Sequence, residues 1–218
     1  MGGGASKSKD ASPRASRPTL GGKQPTGNVQ ALEITPLPPL GELATLPTST
    51  LADFELAATL GIGSFGRVHF CTHNTTGTHW AMKQLKKQAV IDNSQCDHMK
   101  REKNILASLH HPFVVGLATT FQDTKCLYMV IEYIAGGAFD TYLTGEGFLN
   151  EDRTRFYLAQ LVLIFEYMHG ETTGKVIYRD LKPSNLILGI DGYLKLTDFG
   201  FAKVVGDGLT HTFLGTPS

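Results

Sequence analysis

Hydrophobic and polar positions divide this chain into a patternless start and a patterned remainder. Residues 1–52 are rich in Gly, Ser, Pro and Thr, with little that repeats at helix or strand period, and read as a disordered tail. Order is expected to begin near Phe54. Phe54–Leu60 and Arg67–Thr72 read as strands flanking Gly61-Ile62-Gly63-Ser64-Phe65-Gly66. Asn74-Thr75-Thr76-Gly77 is a turn, and Thr78–Gln84 a third strand. Residues 95–108 carry apolar side chains at helical spacing and stop before His110-His111-Pro112. Strands are predicted over 114–121 and 126–132, after which Ala135-Gly136-Gly137 breaks the chain as a linker between two lobes. Asn150 caps a long amphipathic helix over 151–169, with Phe156, Ala159 and Leu163 in its buried stripe and Gly170 at its end. Short strands follow at 185–188 and 193–196, and no segment repeats. The pattern gives a strand-rich unit over 53–134 and a second unit over 135–218.

Composition narrows the classes. With 218 residues, 41% of them hydrophobic, the chain can bury one domain or a two-lobed one. Twenty basic and twenty acidic residues cancel, so no nucleic-acid partner is expected, since that footprint is a basic face. Three cysteines (Cys71, Cys96, Cys126), an odd number without a CxxC, read as small hydrophobes of a reducing compartment. His110 and His111 read as a turn after a helix rather than metal ligands. No apolar run approaches membrane-spanning length, and the start lacks a secretory hydrophobic stretch. Met1-Gly2-Gly3-Gly4-Ala5-Ser6 fits the N-myristoylation pattern with Gly2 as acceptor; the same residues also read as a flexible glycine-rich start. One acyl chain binds membranes only marginally, so Lys7, Lys9, Arg14, Arg17 and Lys23 would matter. The expected location is cytoplasmic, with weak membrane contact through an acylated N-terminus.

The candidate chemistry is phosphoryl transfer. Tyr178-Arg179-Asp180-Leu181-Lys182-Pro183-Ser184-Asn185, followed by Asp198-Phe199-Gly200, spaces two carboxylates, a Lys and an Asn as transfer of a phosphoryl group to a hydroxyl requires. Asp180 faces the hydroxyl, Lys182 neutralises the moving group, and Asn185 and Asp198 hold magnesium. The glycine loop alone is a weak signal, shared with dinucleotide-binding turns. Those need a helix directly after the loop and an acid about 20 residues on. Here a strand, Arg67-Val68-His69-Phe70-Cys71, follows instead, which favours a strand–loop–strand flap over ATP phosphates. Gly61, Gly63 and Gly66 let backbone amides approach, and Ser64 and Phe65 form the tip. Lys83 of Ala81-Met82-Lys83 reads either as an edge-strand cation or, behind this loop, as a ligand of the α and β phosphates. Glu102, preferred over Asp97, is its expected partner, though alone it would read as a solvated helix charge.

Together these motifs resemble the protein kinase family over about residues 53–217. Tyr178 before Arg179-Asp180, the run Asp198-Phe199-Gly200-Phe201-Ala202-Lys203, and Thr212-Phe213-Leu214-Gly215-Thr216-Pro217 resemble the cyclic-nucleotide-dependent branch of the AGC serine/threonine kinases. Phe165-Glu166-Tyr167-Met168-His169 and Tyr133-Ile134-Ala135-Gly136-Gly137 lean toward the cAMP-dependent members, with the cGMP-dependent ones a near second. The resemblance implies an α+β bilobal fold, with a complete β-rich N-lobe and a helical C-lobe truncated after the activation loop. It implies a serine/threonine protein kinase that takes ATP and Mg2+, acts on protein substrates and has a cyclic-nucleotide-binding regulatory subunit. By the same resemblance the backbone of Glu132 and Ile134 pairs with adenine, Ile131 is the gatekeeper, and Val68, Ala81 and Ile187 sandwich the ring. Leu106, Leu117, Tyr178 and Phe199 stack into a spine. Thr212 is the activation-loop phosphosite, with Arg179, Lys203 and His98 as phosphate partners, and Thr216 positions the substrate hydroxyl.

Three departures stand out. The family continues beyond Gly-Thr-Pro with helices that floor the substrate site, and their absence exposes the apolar stripe of the 151–169 helix. Ala138 and Ser184 stand where cAMP-dependent kinases carry carboxylates that read substrate Arg, which implies a weaker preference for basic substrates. Glu171-Thr172-Thr173-Gly174-Lys175 lengthens a surface turn. The competing function class is a catalytically weak or inactive ATP-binding fragment.

Overall fold

The computed structural model describes residues 49–206, together with Met1 and Leu46. A 3-10 turn over Leu51–Asp53 precedes Phe54, and its Asp53 carboxylate accepts from the Thr50 amide at 2.7 Å. Five strands then form one antiparallel sheet: β1 (Phe54–Gly63), β2 (Gly66–His73), β3 (His79–Lys86), β4 (Leu117–Gln122) and β5 (Cys126–Glu132). Their order is β1-β2-β3-β5-β4. Helices α1 (Lys87–Asp92) and α2 (Cys96–Ser108) connect β3 to β4. The sheet buries Phe54, Cys71, Trp80, Met82, Tyr128 and Val130 on one face. Burial pushes the Cys71 thiol up to about 12, so it behaves as the inert hydrophobe its composition predicts.

After β5 the chain makes α3 (Phe139–Glu146) and α4 (Glu151–His169), then four strands of two or three residues that form two antiparallel pairs: β6 (Val176–Ile177) with β9 (Lys203–Val204), and β7 (Leu186–Leu188) with β8 (Leu194–Leu196). Asn150 caps α4, accepting the Arg153 amide at 2.9 Å, and Glu151 and Asp152 complement the helix dipole. A continuous core joins α2, α4 and these hairpins through Ile105, Leu106, Ile164, Met168, Leu194 and Phe199. Among the described residues, no helix is long and apolar enough to cross a membrane.

Several expectations need correction. Phe156, Ala159 and Leu163 do not form a buried stripe of α4: they are exposed, as the departure noted for this helix's apolar stripe anticipates, and Gln160, Ile164 and Met168 face the core. Gln160 is buried because it is spent on the backbone, its amide oxygen accepting the Leu194 N–H at 2.7 Å. The strand expected from 114 starts at Leu117, because Val114 and Val115 turn aside to bond the β8 end at Leu196. Asn185 belongs to a 3-10 turn over Pro183–Asn185 rather than to β7. Helices α1 and α3 carry no clear sequence signal; Thr141, Thr144 and Gly145 dilute the apolar period of α3. The lengthened surface turn is a 3-10 turn over Glu171–Thr173, closed by left-handed Gly174 and Lys175.

Candidate active site

The strand register sorts the flap residues. Val68 pairs with Lys83 across β2–β3, and Gly61 pairs with Val68 across β1–β2, so these three share a position along the sheet. Ala81 pairs with Ile131 across β3–β5. Gly66 follows the turn through Ser64 and Phe65. A Cβ there would lie 1.8 Å from the Gln84 carbonyl oxygen, so only glycine lets β2 and β3 close behind the flap. Gly66→Ala is expected to cost about 1–3 kcal/mol by overpacking against backbone that cannot yield. Urea denaturation of the variant beside the wild type checks it.

Lys83 points from β3 to α2, where its Nζ lies 2.5 Å from Glu102 Oε1 and 4.0 Å from Asp198 Oδ1. Glu102 is 3% exposed and Lys83 23%. Burial alone would lower the Lys83 pKa, but the Glu102 carboxylate and then Asp198 outweigh it, and the ammonium is held above its ordinary value. Glu102 is therefore the partner of Lys83, as expected over Asp97.

The loop before β7 is built around Asp180, 6% exposed. Asn185 Nδ2 donates to its backbone oxygen and to Oδ2, both at 2.9 Å, and Lys182 Nζ lies 2.9 Å from the same Oδ2. Thr197 donates its amide to the Asn185 carbonyl, and the Tyr178 hydroxyl donates to the Thr197 carbonyl at 2.6 Å, linking this loop to Asp198. Arg179 and Asp198 both adopt left-handed backbone, with φ of 69° and 59°. Such strain in non-glycine residues persists where surroundings over-determine it. Burial, then the Asp198 charge, pushes the Tyr178 hydroxyl well above its ordinary range, so it stays a neutral donor. Tyr178 packs edge-on against Phe199 at 5.3 Å, and with Leu106 and Leu117 they fall in one apolar cluster, as expected of the spine.

Asn185 and Asp198 offer oxygen donors, a carboxylate and an amide carbonyl, of the kind a hard divalent cation takes. The Asn185 amide nitrogen is occupied by Asp180, leaving its oxygen as the acceptor. Among the described residues no group of three or more His, Cys, Asp or Glu could hold a metal. A cation here would need phosphate oxygens to complete its shell.

The protein kinase domain family matches residues 54–218. This chain belongs to the protein kinase family. The kinase domain is 42% identical over 167 residues to the cAMP-dependent protein kinase catalytic subunit of Dictyostelium discoideum, covering 77% of this chain and 25% of the relative. It is 42% identical over 168 residues to the cAMP-dependent protein kinase type 3 of Saccharomyces cerevisiae, covering 77% and 41%. It is 45% identical over 171 residues to the cGMP-dependent protein kinase 2 of Mus musculus, covering 78% and 22%. The chain thus spans less than half the length of these curated relatives.

Other expected residues of the kinase domain fall as follows. Ile131, Glu132 and Ile134 lie at and just beyond the end of β5, half-buried, and Ile187 lies in β7. Gly136 passes so close to β7 that a Cβ would meet the Leu188 oxygen at 2.2 Å, and Ala138 bridges to Ile187. Arg179 donates Nε–H to the Phe201 carbonyl at 2.8 Å. Its Nη1 is buried without a hydrogen-bond partner among the described residues, and burial and the charge of Arg101 lower its pKa. His98 Nδ1 sits 2.6 Å from Gln95 Oε1. Gly2, Thr212 and Thr216 lie outside the described residues. Sequence reasoning missed Lys195, whose Nζ is 2.7 Å from Glu132. No motif marks it, because its partner is 63 positions away.

Proposed function

We propose that this chain transfers the γ-phosphoryl group of ATP, with Mg2+, to serine or threonine hydroxyls of protein substrates. The observation that carries this reading is the linked cluster Lys83–Glu102, Asp198, Asn185 and Asp180. Three carboxylates, an amide and two lysines, the second being Lys182, stand together there. Lys83 holds the α and β phosphates under the flap of Gly61 to Gly66. Asp180 orients the acceptor hydroxyl and takes its proton as the oxygen attacks phosphorus, and Lys182 balances the charge spread over the transferring group. Asn185 and Asp198 would hold Mg2+, which when bound neutralises the β and γ oxygens. Val68, Ala81 and Ile187 enclose adenine, Ile131 gates it, and the Glu132 and Ile134 backbone pairs with its edge.

The test is thermal unfolding of the full chain titrated with Mg-ATP, beside Asp198→Ala. A melting temperature that climbs with ligand in the wild type and hardly moves in the variant is expected. An equal response from both proteins, or none from either, would remove the site.

Ala138 and Ser184 shape the proposed substrate class. Neither offers a carboxylate, and a lost charge-assisted contact to substrate Arg is worth about 1.5–3 kcal/mol. A peptide array should show weak dependence on Arg at the two and three positions before the acceptor; a strict Arg requirement there contradicts the assignment. The cAMP-dependent and cGMP-dependent relatives support a cyclic-nucleotide-binding regulatory partner. The Nη1 of Arg179, buried without a hydrogen-bond partner among the described residues, supports an anion beside it; we assign that anion to phosphorylated Thr212, with Lys203 and His98 as its further partners. We further assign Thr216 to positioning the acceptor hydroxyl. Acylated Gly2 would add weak membrane contact to a cytoplasmic enzyme.

A further inference from the structure

A half-buried ion pair lies outside the phosphoryl-transfer groups. Lys195 of β8 places its Nζ 2.7 Å from both carboxylate oxygens of Glu132, the last residue of β5. The side chains are 20% and 19% exposed, so this is no surface pair held loosely by long stems. Glu132 Oε2 also accepts the Gly116 amide at 3.3 Å, and the Glu132 amide donates to the Gly116 carbonyl at 2.9 Å. The carboxylate is therefore fixed from two directions.

Register shows what the pair connects. Lys195 stands directly opposite Ile187 in the β7–β8 ladder. Glu132 follows Ile131, which stands opposite Ala81 in the β3–β5 ladder. On the nucleotide reading above, Ile187 is the floor of the adenine slot and the Glu132 backbone its edge. These two walls come from different lobes. Among the described residues, Lys195–Glu132 is the charged side-chain pair that ties the strand of one wall to the strand of the other.

We infer that Lys195 is a positioning residue for adenine recognition. Its ammonium, clamped on Glu132, sets the separation and tilt between the hinge backbone and Ile187. It touches no part of the nucleotide. A flat ring held between two walls loses binding when either shifts by a fraction of its thickness, whereas the phosphate ligands on β3 and the Asp180 loop are fixed by other bonds. Lys195→Met keeps the apolar stem but strands the Glu132 carboxylate, which then turns toward water and draws the hinge with it.

The experiment measures adenosine and Mg-tripolyphosphate separately, by competition against a fluorescent nucleotide, on the full chain. Lys195→Met should weaken adenosine about tenfold while tripolyphosphate changes less than about twofold. Glu132→Gln, which keeps the hinge backbone, should show the same selective loss. Adding Lys195→Met to it should cost little more, because the pair is already broken. Lys195→Arg should restore most of the adenosine affinity. Unchanged adenosine binding in Lys195→Met, or equal losses for both ligands, overturns the inference while leaving the nucleotide site intact. Binding of neither ligand by the wild type overturns the nucleotide reading itself, and this inference with it.

Discussion

Asp180→Asn is expected to lower phosphoryl transfer by about a hundredfold to ten-thousandfold, while the Mg-ATP-dependent rise in melting temperature remains. The reason lies in how Asp180 is held. Its Oδ2 accepts from Asn185 Nδ2 and from Lys182 Nζ, each at 2.9 Å, and its side chain is almost fully enclosed. Those donors fix the carboxylate orientation and stabilise its charge, so the remaining acceptor capacity is aimed rather than averaged. Asn has nearly the same shape but no net charge, and its NH2 can accept no proton. It can keep one oxygen toward Asn185 and Lys182, which preserves the loop. It cannot then draw the proton from an acceptor hydroxyl. Single-turnover transfer from radiolabelled ATP to a peptide, beside a melting curve of the same sample, separates the two effects. Transfer within about threefold of wild type would dismiss Asp180 as the proton acceptor.

Glu102→Ala is expected to destabilise the chain by about 3 kcal/mol. The Lys83–Glu102 pair joins β3 to α2, with Glu102 3% exposed. Removing Glu102 leaves the Lys83 ammonium desolvated, and an uncompensated buried charge costs far more than the pair contributes net. Asp198, 4.0 Å from Lys83, offsets part of that cost, which places the figure at the low end for buried pairs. Relieved of Glu102, Lys83 is free to swing to Asp198, so the carboxylate proposed for Mg2+ becomes engaged elsewhere. Glu102→Ala should therefore also blunt the Mg-ATP response that Asp180→Asn spares. Urea titration followed by tryptophan fluorescence suits the measurement, since Trp80 lies in β3 close to Lys83. A loss below about 1 kcal/mol would mean that the ion pair is peripheral to the fold.

The chemistry proposed for this chain is legible locally because the residues assigned to it come in short runs. Asp180, Lys182 and Asn185 occupy one turn of irregular chain, Asp198 and Phe199 another, and Gly61 to Gly66 a third. Spacing within a run constrains where side chains point once the backbone bends, so the pattern carries the geometry with it. Capping is equally local: Asn150 starts α4 because its side chain reaches an amide three residues on. The choice of Glu102 over Asp97 for Lys83 likewise came from the sequence around α2, and the ion pair bears it out.

Other features have no local signal. Helix α4 carries two apolar stripes at the same period, one through Phe156, Ala159 and Leu163 and one through Gln160, Ile164 and Met168. Periodicity states that a face exists but not which neighbour covers it, and the polar Gln160 disguised the true one. Only the fold brings β8 alongside, where the Leu194 amide satisfies the Gln160 oxygen. Lys195 and Glu132 look like two scattered surface charges until β8 meets the end of β5. By itself the sequence determined the kinase family and placed the groups proposed to react, since those depend on residues close to one another in the chain. The tertiary structure alone decided which helix face is buried and that Lys195 of β8 meets Glu132 at the end of β5. Both depend on contacts between segments far apart in the chain, which no local pattern encodes.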